Sequence, residues 1–165
     1  MITDTERRVI QDTWQLVLPV AETAADLFYK RLFELQPSFK QYFTSDLKQQ
    51  KHKLIAMLDF VVRSLDWPES AWRREDVTED DDLFLVMVAL GRRHRELYNI
   101  PDSSYDTVGE AWLWTLDYSL GKKLDASARA AWTKVYALLA NIMRLGEPSR
   151  NAERAHPKSR PGETC

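Results

Sequence analysis

The sequence predicts an all-α domain. Apolar residues recur at steps of three and four through most of the chain, and only five glycines interrupt its 165 residues. No stretch alternates apolar and polar positions for long, which leaves strands without their usual signal.

Helix signals divide the chain in order. Thr3 and Glu6 form a capping box ahead of an amphipathic segment carrying Ile10, Trp14 and Val17, which stops at Pro19. A second helix runs from about Ala21 to Gln36, with Ala25, Phe28, Tyr29, Leu32 and Phe33 on its apolar side. Pro37 opens a short helical turn, PSFKQYF, that ends in two aromatics. The third helix spans roughly Leu47 to Leu65. An acid-rich stretch from Asp66 to Asp82 then holds Trp67, Pro68 and Trp72. Its last four residues, Glu79 to Asp82, suit the positive end of the helix dipole that follows. That fourth helix breaks near Asn99 to Pro101. Two long helices, about Ser104 to Leu120 and Asp125 to Leu145, complete the set, with Asp125 as N-cap and Gly146-Glu147-Pro148 as a stop. Residues 1–147 read as one domain. Residues 148–165 have no periodicity and little apolar mass, so they read as a disordered tail.

A chain of this length buries roughly 70% of its unfolded surface. Apolar content of 44%, charged content of 29% and a net charge of −2 describe a globular protein. The basic residues are mixed with acidic ones, which argues against a nucleic-acid partner. No apolar run reaches the roughly 18 residues of a membrane span, and the N-terminus lacks the order of a signal peptide. The one cysteine, Cys165, excludes an internal disulfide. A reduced, cytoplasmic location is the expectation.

Three polar side chains intrude on apolar faces. His94 ends the stripe of Leu83, Val86, Met87 and Leu90; Gln50 begins that of Leu54, Met57 and Val61; Tyr29 sits among the aromatics of the second helix. Each needs a partner once buried. His94 is either a satisfied core residue or a ligand, Tyr29 can send its hydroxyl to a backbone carbonyl, and Gln50 can be solvated. A shared ligand would satisfy all three. His52 lies two residues from Gln50, about 200° round the helix, and should face solvent. Trp112 and Trp114 cannot both face the core, so one of them is free for an interface; monomer and homodimer both stay open.

The segments LFYKRLFELQPSFKQYF, QKHKLIAML, LGRRHRELY, SYDTVGEAWL and AAWTKVYALLANIM, in that order, resemble a globin. The similarity is to single-domain bacterial globins related to the haem domain of flavohaemoglobins, and the fourth and last segments also resemble neuroglobin. It covers about Thr5 to Met143. The resemblance implies a 3-over-3 helical sandwich enclosing haem b (iron protoporphyrin IX), with His94 as the proximal iron ligand. It puts Phe43 flat against the porphyrin, Tyr29 and Gln50 over the iron, and Leu54 closing the pocket. Met57, Leu90 and Val108 would line it, and Lys53 would meet a propionate. Tyr105 matches the family tyrosine that hydrogen-bonds the proximal histidine. Glu147 aligns roughly with that tyrosine's glutamate partner, but its Gly-Glu-Pro context carries it past the helix end.

One axial imidazole leaves the opposite iron position open for O2, NO or CO. The outer atom of bound dioxygen is partly anionic, so a tyrosine hydroxyl and a glutamine amide can donate to it. Hydrogen bonds to charged groups contribute roughly 1.5–3 kcal/mol each. About 3 kcal/mol from the pair would slow oxygen release on the order of a hundredfold. The expected function is tight oxygen binding, with nitric oxide dioxygenation or weak peroxidase activity when an external reductase supplies electrons. The alternative is a haem-based gas or redox sensor, or partner protein. Tyr29 is also the alternative sixth ligand in the ferric state. The link between the distal and proximal helices is longer than such globins usually have, and the turn from Phe43 to Gln50 is short.

Overall fold

The computed structural model describes residues 2–43, 46–66 and 83–145. Six α-helices and three short 3-10 turns account for nearly all of them, with no strand among the described residues, as the periodicity predicts. The α-helices are α1 (Asp4–Val17), α2 (Ala21–Leu35), α3 (Leu47–Ser64), α4 (Leu83–Tyr98), α5 (Ser104–Leu120) and α6 (Ala126–Leu145). The acidic stretch beyond Asp66, Glu147 and the tail from 148 lie outside the described residues.

The boundaries follow the local chemistry. Pro19 sits in a 3-10 turn, Leu18–Val20, that separates α1 from α2. The carboxylate of Asp125 accepts the N–H of Ala128 at 2.8 Å, satisfying a free donor at the start of α6. Asp46 caps α3 in the same way by accepting from the Lys48 N–H at 2.9 Å, a role its sequence position does not advertise. At the end of α4, Asn99 takes a positive φ of 49°, a conformation asparagine tolerates better than most residues.

The capping box at Thr3 forms in both directions and is joined by a tertiary contact. The Glu6 carboxylate accepts from the Thr3 N–H at 2.7 Å and from Lys134 Nζ of α6 at 2.8 Å. The lysine and Thr3 together hold this carboxyl down at about 2. A depressed acid means that the folded state favours the carboxylate, so its stabilisation is complete above the ordinary value and lost as pH falls toward about 2. Glu6→Gln should therefore lower the thermal midpoint at pH 7. The difference from the parent should close progressively below about pH 4.5 in a pH series of melts.

The helices form two layers, with α1, α3 and α4 over α2, α5 and α6. Packing across the layers runs mainly through α1 and α4 on α6 and α3 on α2. Within the layers α2 lies along α5, and α1 touches α3. The core has two centres. The larger is aromatic, with Trp14, Trp112 and Trp132 at mutual centroid distances of 6.4, 6.2 and 5.8 Å. Trp14 donates to Asp59 at 2.9 Å and Trp132 to the buried Thr13 hydroxyl at 2.8 Å, which relieves the cost of burying two indole N–H groups. The smaller centre joins Val61, Leu83, Met87 and Tyr105 to Leu139, Ala140, Ile142 and Met143.

Of the two tryptophans that cannot share a face, Trp112 takes the core. Trp114 is half-buried, stacked on Tyr118 at 5.1 Å with the Arg31 guanidinium over its ring.

Candidate functional site

Two helices place apolar residues where neither core centre fully covers them. On α3, Leu58 and Val62 enter the aromatic core, whereas Gln50, Leu54 and Met57 on the neighbouring stripe stay half-buried. On α4, Leu83 and Met87 are fully buried against the α6 side, whereas Val86, Leu90 and His94 stay half-buried. The single stripe expected for each helix thus splits into a packed part and an open part. Helix α4 is seated mainly on α6, and α3 on α1 and α2, while Val61 of α3 joins Leu83 and Met87 of α4 in the smaller centre. Phe43 and Val108 are half-buried against the aromatic core, and Met57 touches both centres. These half-buried residues are predominantly apolar, with one imidazole among them.

Gly91 determines how α4 sits. A Cβ at this position would overlap the carbonyl oxygen, carbonyl carbon and Cα of Met143, all backbone atoms of α6. The two helix backbones touch here, one turn before His94. Only glycine permits that approach.

The His94 ring has no hydrogen-bond partner among the described residues, and its neighbour is Tyr105, with centroids 6.3 Å apart and planes tilted by 36°. Burial, and secondarily the Arg93 guanidinium, push the imidazole below its usual value. It is therefore held neutral at physiological pH, with a lone pair available to a metal. Tyr105 is buried but donates no hydrogen bond to His94. Its ring instead lies under the Arg144 guanidinium, 5.4 Å from Cζ, a neighbour that only the tertiary fold reveals.

Opposite His94 in the chain order, α2 buries Tyr29 among Phe28, Phe33 and Phe43 at 5.1, 6.0 and 5.2 Å. Its hydroxyl donates to the backbone carbonyl of Gln50 at 3.4 Å, a long bond and the backbone alternative open from sequence. Tyr29 and the first turn of α3 are thus brought together. Burial pushes the phenol up to about 12, so it remains a protonated donor and not a phenolate. Lys53 is exposed on the outer side of α3. His52 is exposed as expected, 3.9 Å from Glu22.

No group of three or more His, Cys, Asp or Glu side chains that could hold a metal ion occurs among the described residues. A lone imidazole cannot retain a free cation, so a metal bound at His94 must bring its other ligands with it. An iron already chelated by a flat apolar macrocycle meets that condition. The half-buried Phe43, Leu54, Met57, Leu90 and Val108 would offer such a group apolar contact. The residues present fit a haem. No helix among the described residues is long and apolar enough to cross a membrane.

Comparison with known proteins agrees with this reading. Neuroglobin of Danio rerio is 24% identical, over 88% of this chain and 92% of its own length. Neuroglobin of Chaenocephalus aceratus is 23% identical, over 93% of this chain and 98% of its own. Cytoglobin-1 of Oryzias latipes is 25% identical, over 84% of this chain and 79% of its own. The globin family profile matches residues 26–143, from the start of the Tyr29 turn to the α6 residue that Gly91 touches. With that match covering well over half of the chain, the protein belongs to the globin family, whose members bind haem and, on it, small gas ligands.

Proposed function

We propose that this globin holds haem b through His94 and binds dioxygen tightly, with Tyr29 and Gln50 as the polar groups on the ligand side. The observation that carries the reading is the half-buried His94 imidazole, which has no hydrogen-bond partner among the described residues and ends the apolar stripe of α4. When bound, the haem supplies an iron with one position open to a diatomic gas.

The chain's own residues then divide the work. Leu54, Met57, Leu90, Val108 and Phe43 would hold the macrocycle through apolar contact and keep water from it. Lys53, exposed on α3, would meet a propionate. Tyr29 has its proton to give at neutral pH, and its long bond to the Gln50 carbonyl is weak enough to be exchanged for one to a ligand. Gln50, half-buried in the first turn of α3, is the second donor in this reading. This donor pair supports placement with the single-domain globins related to flavohaemoglobins. It also supports conversion of nitric oxide to nitrate when an external reductase provides the electrons. A cytoplasmic location accords with the balanced charge and the single cysteine.

Tyr29→Phe and Gln50→Leu test the reading. Stopped-flow oxygen release should be faster in each by about tenfold, the equivalent of one hydrogen bond of about 1.4 kcal/mol. Carbon monoxide release should change far less, since that ligand carries little charge to accept the bonds. Unchanged oxygen off-rates in both variants would remove the distal pair.

A further inference from the structure

We propose that Arg144, seated on the ring of Tyr105, keeps the proximal side of the site electropositive and so biases the haem iron toward its reduced form. This rests on His94 as the axial ligand. Arg144 is a positioning and tuning residue with no part in holding the haem.

The geometry is specific. Tyr105, 5% exposed, neighbours the His94 ring at 6.3 Å and carries the Arg144 Cζ 5.4 Å from its own centroid. The guanidinium is held by three acceptors: the Asp106 carboxylate at 3.0 Å, the Asp102 backbone carbonyl at 3.4 Å and the Asn141 side-chain oxygen at 3.3 Å. A cation so fixed over an aromatic face is retained in one place, and the buried ring beneath screens it less than water would.

The other charges nearby have the same balance. Arg93 acts on His94, and Arg95 and Asp102 act on Tyr105 from beside it, with Arg95 bonded to Asp102 at 3.3 Å. Three arginines (93, 95 and 144) thus face two aspartates (102 and 106). The ring of Tyr105 is thus partnered by a cation.

The couple affected takes one electron, ferric iron plus an electron giving ferrous iron. No proton is taken up at these residues, and an external one-electron reductant is the donor. A positive charge near the imidazole opposes the extra charge of the ferric form, so removing it should favour ferric iron.

The test is a dye-mediated potentiometric titration of the haem-loaded full chain, followed by its visible spectrum. Arg144→Gln should lower the ferrous-to-ferric ratio at fixed ambient potential about threefold, a midpoint shift of about −30 mV for one electron. Arg144→Lys, which keeps the charge, should recover most of that shift. Asp106→Asn, at a side chain that is 81% exposed, frees the cation from its counter-charge and should move the midpoint in the opposite direction. Arg129→Gln removes an arginine paired with Asp117 at the far end of α6 and should leave it unchanged.

A purely structural role for Arg144 would not give opposite signs for Arg144→Gln and Asp106→Asn. Equal midpoints in the parent and both variants would overturn the proposal, and Asp106→Asn decides it alone if Arg144→Gln does not fold. Failure of the axial assignment would look different: parent and His94→Ala would share one haem spectrum.

Discussion

His94→Ala should fold and stay colourless. The side chain is half-buried and bonded to nothing among the described residues, so truncation leaves no orphaned partner and opens only a small void at a margin. Far-UV circular dichroism should match the parent. Haem retention should not. Removing a group that merely orients a metal ligand changes affinity by about 10–100-fold, so loss of the ligand itself should exceed about 100-fold. After desalting, the parent should keep an intense Soret band and the variant should lose it. Added imidazole should restore part of the band by filling the vacated place. A variant that retains haem with the parent's spectrum would show that another side chain holds the iron.

The second large effect is expected at Gly91→Ala. One methyl group is a small change, but it would meet the Met143 main chain, which cannot rotate away as a flexible side chain could. Helix α4 must then lift from α6. Overpacking of this kind costs about 1–3 kcal/mol, and each kcal/mol lowers the melting midpoint by about 2–4 °C in a chain of this size. Since His94 lies one turn beyond, the displacement also moves the imidazole, and haem dissociation should accelerate together with the fall in midpoint. A Gly91→Ala protein melting with the parent would mean that the two backbones do not touch.

Much of this was legible beforehand because it is local. The capping box at Thr3, the cap at Asp125, the break at Pro19 and the six helices follow from chemistry within a few residues of each boundary. His94, Gln50 and Tyr29 were visible as polar intruders on apolar periodicity. The split of each stripe into packed and open halves was not visible, because it depends on where α6 and α2 lie. Nothing near Gly91 in the sequence announces Met143, which lies 52 positions later. Arg144 carried no signal, being a solvated-looking residue near a helix end whose partner is 39 positions earlier. The backbone acceptor for Tyr29 was one of two readings open from sequence, and geometry selected it for the free hydroxyl. The long link through Trp67 to Asp82 falls outside the described residues, as does Glu147.

Among the described residues helix α4 packs mainly on α6, while the tryptophans tie α1, α5 and α6 into a larger mass. Cooperativity is then unequally distributed, with one subunit of folding able to persist while a smaller one detaches and reseats. Loading and surrender of the prosthetic group can accordingly proceed through partial opening at this helix, without the whole chain coming apart.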